Sequence, residues 1–340
     1  MKKYKCPAYL TTDKVIRYGY RKKVLRMFCK ACTTHFSMNT TLNKKQLLRD
    51  HLNGMSFQVL GATYGISKTQ AWEVCHEELE KVPANNEFTH KYCARFSHIF
   101  LFDGKYIHVK GYAGKIPLLW GIDYFTHDIP VFTLAPSENY QSWARYFSFF
   151  RIISHHPQLL VCDDNVNIKM AARNAFPTVK IQTCTNHFKE NVRRELKVRT
   201  DKTYLHFSSE VDSILSHKLS DEVFNKWMGI LFEDYAHDPV TLSILANIEK
   251  YKKELLAYRG IKGAPTTTNL IECFNSHLQD RLASLKGFES FKHATLWLNA
   301  YILKRRFTRL SGCEGKFRHL NGERPIDKTK NEKLVLPTLF

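Results

Sequence analysis

Short apolar runs, first in a row and then alternating with helical spacing, point to a mixed α/β core for this chain. Two of them end on aspartate: residues 99–103 (Ile-Phe-Leu-Phe-Asp103) and residues 159–163 (Leu-Leu-Val-Cys-Asp163). Such a run reads as a buried strand, and an aspartate at its end sits where the sheet opens to solvent. Further on, Thr266 to Asn275 supplies a third carboxylate, Glu272, at the start of a long helix. Two strand-end aspartates and a helical glutamate can converge on divalent metal ions.

Residues 1–40 read as a degenerate zinc-ribbon-like segment. Cys6-Pro-Ala-Tyr9 and Phe28-Cys29-Lys-Ala-Cys32 flank a basic, hairpin-like stretch. Paired cysteine knuckles around a hairpin hold tetrahedral Zn²⁺ with thiolates or imidazoles. The second knuckle is intact, but Tyr9 stands where the first expects another cysteine. Cys6, Cys29 and Cys32 remain as ligands for a candidate structural Zn²⁺, with His35 a fourth at an unusual offset. Lys14, Arg17, Arg21, Lys22, Lys23 and Arg26 suit phosphate contacts or a solvated face.

Residues 43–82 predict a helix-turn-helix. Gly54 and Gly65 suit helix ends, and Ser56 and Ser67 suit the caps of the helices that follow. Short helices with a glycine-containing turn before the last one match a unit whose last helix enters the major groove. Lys68, Thr69 and Gln70, at the start of that helix, are the candidates for base contact. An ordinary helical packing unit is the plainer alternative. Residues 82–88, with Pro83 and small polar residues, have linker character.

Residues 97–187 carry the first part of the core. Strands are expected over 98–103, 105–111, 117–123 and 129–134, with a tight turn at Asp103-Gly104. A helix follows over 139–155, then the strand ending at Asp163, a helix over 166–176 and a strand over 179–182. Strands in a row followed by strand–helix alternation suggest a mixed sheet of the ribonuclease H-like kind. Asp103 and Asp163 would then lie on adjacent strands, with Asp164 competing for the place of Asp163 and Asp123 a weaker claimant. Hard carboxylate oxygens suit Mg²⁺ or Mn²⁺. Two ions about 3.5–4 Å apart can serve both the attacking and the leaving oxygen of a phosphodiester.

After the last strand come Cys184-x-x-His187 and then residues 188–264, a helical, charged insertion. Arg193 and Arg194 within it suit DNA or a solvated helix face equally. Residues 265–312 form C-terminal helices, with Glu272, Asn275 and Gln279 at steps that share one face. Lys304, Arg305 and Arg306 near the end of the second helix suit phosphate contact. Residues 313–340 form a tail, expected to be poorly ordered from Asn321.

The 340 residues carry 51 Lys+Arg against 32 Asp+Glu, a formal net charge of +19. So large an excess favours a polyanionic partner, here double-stranded DNA. Nine scattered cysteines, a start without a signal-peptide core and the absence of a run long enough for a bilayer suit a reducing cytoplasm and no membrane.

These motifs together resemble insertion-sequence transposases of the Mutator-like superfamily from bacteria and archaea, in the zinc-binding variant. The resemblance rests on Phe102-Asp-Gly-Lys-Tyr106, Val161-Cys-Asp163, Cys184-x-x-His187 with Asn191, and Thr267-Thr-Asn-x-Ile-Glu272, in that order and around a helical stretch. It implies that Asp103, Asp163 and Glu272 form a DDE triad holding Mg²⁺ or Mn²⁺, with two ions expected. It also implies that Cys184 and His187 are the family's C-x-x-H pair near the active site. The implied activity is recognition of terminal inverted repeats, metal-dependent strand cleavage and strand transfer, by a homodimer or larger assembly associated with the nucleoid. Tyr9, and Asp164 in place of the usual glycine, depart from the family pattern. A metal-dependent structure-specific nuclease and a domesticated DNA-binding regulator are the alternatives.

Overall fold

In the N-terminal basic stretch, β1 (Val15–Arg21) and β2 (Val24–Cys29) pair antiparallel, and β3 (His35–Ser37) joins the other side of β2. The register of β1 shifts between Arg17 and Gly19, where Gly19 takes a φ of +105° that a side chain would resist. The computed structural model describes residues 4–340 other than 5, 7, 9–10, 22–23, 38–41, 153–155 and 217–218. Tyr9, Lys22 and Lys23 therefore lie outside the described residues.

Three helices follow: α1 (Lys44–Leu52), α2 (Phe57–Tyr64) and α3 (Lys68–Glu80). Local chemistry sets their ends. The Ser56 and Ser67 hydroxyls accept the Val59 and Gln70 amides, and Gly65 closes α2 in the left-handed region. Leu47, Leu60, Ala71, Val74 and Cys75 pack as a small core of their own.

The expected linker is instead a helix, α4 (Asn85–Tyr92), with Asn85, Phe88 and Thr89 buried. Tertiary contacts make it: the Asn85 amide donates to Asn299 Oδ1 at 2.7 Å, and its side chain donates to the Pro130 carbonyl at 3.0 Å. Local propensity for a linker is overridden by burial.

The central sheet has five strands in the order β6-β5-β4-β7-β8. They are β4 (Ile99–Ile107), β5 (Ile116–Asp123), β6 (Phe132–Leu134), β7 (Leu159–Cys162) and β8 (Lys180–Thr183). The two ladders of β4 are antiparallel with β5 and parallel with β7. The turn expected at Asp103-Gly104 does not form. β4 runs straight through it, because Asp103 pairs with Trp120 and Gly104 with Leu119 in an unbroken ladder.

Alternation along β4 decides what lies on each face. Phe100 and Phe102 join the core under α5 (Tyr140–Ile152) and α6 (Val166–Ala175). Leu101, like Val161 of β7, joins the opposite core with Ile271, Phe274 and Leu278. Those three belong to α11 (Asn269–Ala283), which follows the helices α7 (Thr185–Glu195), α8 (Leu205–Ser216), α9 (Asp221–Tyr235) and α10 (Pro239–Leu255). The first four of these helices share a separate apolar cluster built on Phe207, Val211, Phe224, Leu231 and Ile248.

Beyond α12 (Phe291–Phe307) the chain does not fray as expected. It forms α13 (Pro325–Thr329), whose Ile326 is fully buried, and the Asn331 amide donates to the Tyr92 carbonyl at 2.7 Å. The anchor is Arg306, predicted as a DNA contact but 0 % exposed. Its guanidinium is bidentate on Asp128 (Nε to Oδ1 2.7 Å, Nη2 to Oδ2 2.8 Å) and also reaches Asn85 Oδ1, Thr89 Oγ1 and Cys93 Sγ. All five donors are used, and Thr329 of α13 donates to the same Asp128. Arg306 is thus a structural clamp and has no donor left for a phosphate. No cysteine is in a disulfide, and among the described residues no helix is long and apolar enough to cross a membrane.

Candidate active site

β7 stops at Cys162 while β4 continues, so Asp103 and Asp163 emerge side by side, each two residues past the last ladder pair, Leu101 with Val161. Both share the face of Leu101 and Val161, the one α11 covers. Asn275 of α11 reaches Asp103 directly: its Nδ2 donates to Oδ2 at 2.5 Å, while its Oδ1 accepts from Trp120 Nε1 at 3.1 Å. The Gly104 amide donates to the other Asp103 oxygen at 2.8 Å. Asp163 accepts the Asn165 amide at 3.2 Å. Asp164 points elsewhere, ion-paired with the buried Lys169, which also binds Glu254 at 2.6 Å. Asp163 is in no ion pair among the described residues. Asp123 accepts the Phe125 and Thr126 amides at 3.0 and 3.1 Å and organises its own loop.

Glu272 lies in the first turn of α11, within 4.8 Å of both Cys184 and His187. Thr268 holds this corner together. Its hydroxyl sits 2.6 Å from Glu272 Oε1 and 3.1 Å from Cys184 Sγ, and its amide donates to the same sulfur at 3.3 Å. The His187 ring approaches Glu272 Oε1 at 3.7 Å. His187 links this corner to the aspartates, since its charge acts on both Asp103 and Asp163.

The electrostatics follow from burial. Desolvation and the neighbouring Asp163 push the Asp103 carboxyl up to about 7. Asp163 is raised too, again mainly by burial. Bonding to Cys184 pushes the His187 imidazole up to about 9. Although burial opposes it, bonds from His187 and Thr268 hold the Cys184 thiol below its ordinary value.

A pH test follows. Without a cation, Asp103 keeps its proton to about pH 7 when folded, against about 3.9 when unfolded. The folded state therefore binds more protons between those values, and stability falls as pH rises through that window. Asp103→Asn is expected to flatten that fall in thermal midpoints recorded in EDTA from about pH 4 to 8. Equal slopes for the two proteins would contradict it.

Sequence reasoning missed several supports. Glu138, in the loop before α5, accepts from Tyr106 OH at 2.8 Å, Trp143 Nε1 at 3.1 Å and Asn165 Nδ2 at 2.8 Å. A Cβ at Gly104 would meet Glu138 Oε2 at 2.6 Å, which explains a glycine beside Asp103. No local pattern announces Glu138. Asn275, by contrast, was visible three residues after Glu272, on the same helix face.

The other predicted residues are dispersed. Lys68, Thr69 and Gln70 are exposed at the start of α3. Arg193 is ion-paired with Asp212 and Glu190, whereas Arg194 is exposed and donates to Asn191 Oδ1 at 3.3 Å. Lys304 donates to Asn53 Oδ1 at 2.5 Å, and Arg305 lies 4.2 Å over the Phe274 ring.

At the N-terminus, Cys6, Cys29 and Cys32 place their sulfurs within 4.8 Å of one another. Hydrogen bonds from Thr34 bring the Cys32 thiol down to about 7. Soft sulfurs gathered this closely fit Zn²⁺. His35 instead packs its ring against Tyr18 and Phe28, with centroids 4.3 and 4.7 Å away. Metal analysis is expected to find zinc in the purified chain and little in Cys29→Ser. Equal zinc in both would rule the trio out.

No curated protein matches the chain at a significant level. Among solved structures, the cryo-EM structure of the simian T-cell lymphotropic virus intasome in complex with PP2A regulatory subunit B56 gamma is 14% identical. That match covers 65% of this chain and 76% of the other at a TM-score of 0.22, too low to carry an argument. The profile described as transposase, Mutator family, matches residues 51–300. That span covers α2 and α3, both aspartates, Cys184, His187 and Glu272, and the chain belongs to the Mutator family of transposases.

Proposed function

We propose that this transposase is a DDE enzyme that binds the terminal inverted repeats of its insertion sequence, cleaves DNA strands and joins them to a target. The observation that carries the reading is the emergence of Asp103 and Asp163 side by side from adjacent strands, on the face covered by the helix bearing Glu272. Two desolvated carboxylates, with Asp163 adding to the rise at Asp103, form a donor set that favours hard cations. Asp103, Asp163 and Glu272 would hold Mg²⁺ or Mn²⁺, as one or two ions. Such ions, when bound, activate an attacking hydroxyl and neutralise charge on the leaving oxygen of a phosphodiester.

The chain's own residues prepare the site. Asn275 and the Gly104 amide fix the two oxygens of Asp103, and Lys169 draws Asp164 aside so that Asp163 alone faces inward. Thr268 and His187 orient Glu272. The sheet with its flanking helices is read as a ribonuclease H-like core, with α7 to α10 inserted before the Glu272 helix. The three-helix unit is read as a helix-turn-helix, with Lys68, Thr69 and Gln70 at the groove. Arg194 suits the DNA backbone better than Arg193, which is already paired. The zinc-ribbon-like segment would add to end recognition. Bringing two ends together requires a homodimer or larger assembly, acting on DNA in the cytoplasm.

The test is purified protein with labelled element-end DNA and a target plasmid, in Mg²⁺ or EDTA. Metal-dependent cleavage followed by joining is expected. Cleavage without joining would favour the structure-specific nuclease, and binding without chemistry the domesticated regulator.

A further inference from the structure

The end of α1, the second half of α11 and the end of α12 enclose a pocket of about 300 Å³. Its wall carries Arg281, Lys304, Arg305 and Arg309, together with His277 and Asn53, and not one carboxylate. None of those four cations takes part in an ion pair among the described residues. Like charges gathered without a counter-charge are costly, and the pocket registers it. Burial, with Arg281, Arg305 and Arg49 nearby, pushes the Lys304 ammonium down to about 8. Arg305 Nε is buried without a hydrogen-bond partner among the described residues, so an expensive donor is left unused. Asp50, an acid that acts on Lys304, is itself occupied by Gln46 at 2.9 Å and Tyr64 at 2.6 Å.

We propose that this pocket binds a phosphate of the DNA backbone. The inference rests on the DNA-binding reading above and assigns a specific anchor to it. Guanidiniums supply the forked donors that phosphate oxygens accept. The site also joins two parts of the chain. Asn53 belongs to the three-helix unit, while Arg281 lies nine residues beyond Glu272 on α11, about 14 Å along the helix axis at 1.5 Å per residue. A backbone phosphate held here would fix the duplex between its recognition helix and the carboxylates. A free phosphate shares the same chemistry, but the net charge of +19 favours a polyanion.

The experiment compares wild type, Arg281→Gln and Arg309→Gln, with Lys333→Gln as a one-charge control outside the pocket lining. Binding to a short duplex is measured over a salt series, and thermal midpoints are recorded with and without pyrophosphate. Each pocket variant is expected to bind several-fold more weakly and to lower the slope of log K against log salt by about 0.9, with Lys333→Gln unchanged. Arg309→Gln, being exposed, keeps the test open if Arg281→Gln fails to fold. A wild-type slope retained by the folded pocket variants would overturn the anchor and leave the DNA reading intact. If wild type binds no duplex but pyrophosphate stabilises it and not Arg281→Gln, the ligand is a free phosphate and the DNA reading fails. No response in either arm would overturn both.

Discussion

Arg306→Ala is expected to destabilise the fold by about 3–5 kcal/mol, because it leaves Asp128 buried and ionised without its partner. The loss extends beyond one ion pair. Arg306 also satisfies Asn85 and Thr89 of α4 and the Cys93 sulfur, and Asp128 in turn holds Thr329 of α13. One guanidinium therefore ties α12, α4, the loop before β6 and the C-terminal helix together. Urea unfolding measures the effect as a lower midpoint, and a changed slope would show that α13 detaches separately. Arg306→Met with Asp128→Leu removes both charges and should recover part of the loss, since replacing a buried pair by apolar groups is often close to neutral. A single mutant as stable as wild type would show that the clamp contributes nothing.

The second large effect concerns chemistry. Asp103→Asn keeps the shape of the side chain but removes the charge that a divalent cation requires. Cation stabilisation of a phosphoryl transition state is worth several kcal/mol, so cleavage is expected to fall by about 10³-fold or more. DNA binding should be largely retained, because the exposed Lys68 of α3 and the cations of the pocket on α11 and α12 are not among the hydrogen-bond partners of Asp103. With Asp103→Asn also expected to flatten the fall in metal-free stability above about pH 4, the prediction is an inactive protein whose metal-free stability varies less with pH. Lost DNA binding in this variant would mean that Asp103 holds the fold rather than the reaction.

What was legible in the sequence was local. Ser56, Ser67 and Gly65 mark helix ends through their own backbone preferences, and they act there as read. Asp163 follows directly from the end of an apolar run, because β7 stops at Cys162. Asp103 was harder. Asp-Gly is a strong turn signal, yet pairing of β4 with β5 from Phe100 to Ile107 outweighs it and keeps Asp103 inside a strand. What failed depended on distant partners. Nothing local distinguishes Arg306 from Lys304 and Arg305, and what makes it structural are distant partners, among them Asp128, 178 residues away. The same clamp turns an apparent linker into α4 and an apparent tail into α13. Glu138 was invisible for the same reason, since its three donors come from β4, α5 and the start of α6.

The position of Glu272 is the most direct test, because it lies beside Cys184 and His187 while Asp103 is bonded to Asn275. Strand cleavage of element-end DNA in Mg²⁺ by Glu272→Gln should be measured beside wild type. The account predicts DNA binding retained and cleavage lost to the same extent as in Asp103→Asn. Cleavage at the wild-type rate would assign Glu272 to the Cys184–His187 corner alone and contradict the three-carboxylate site.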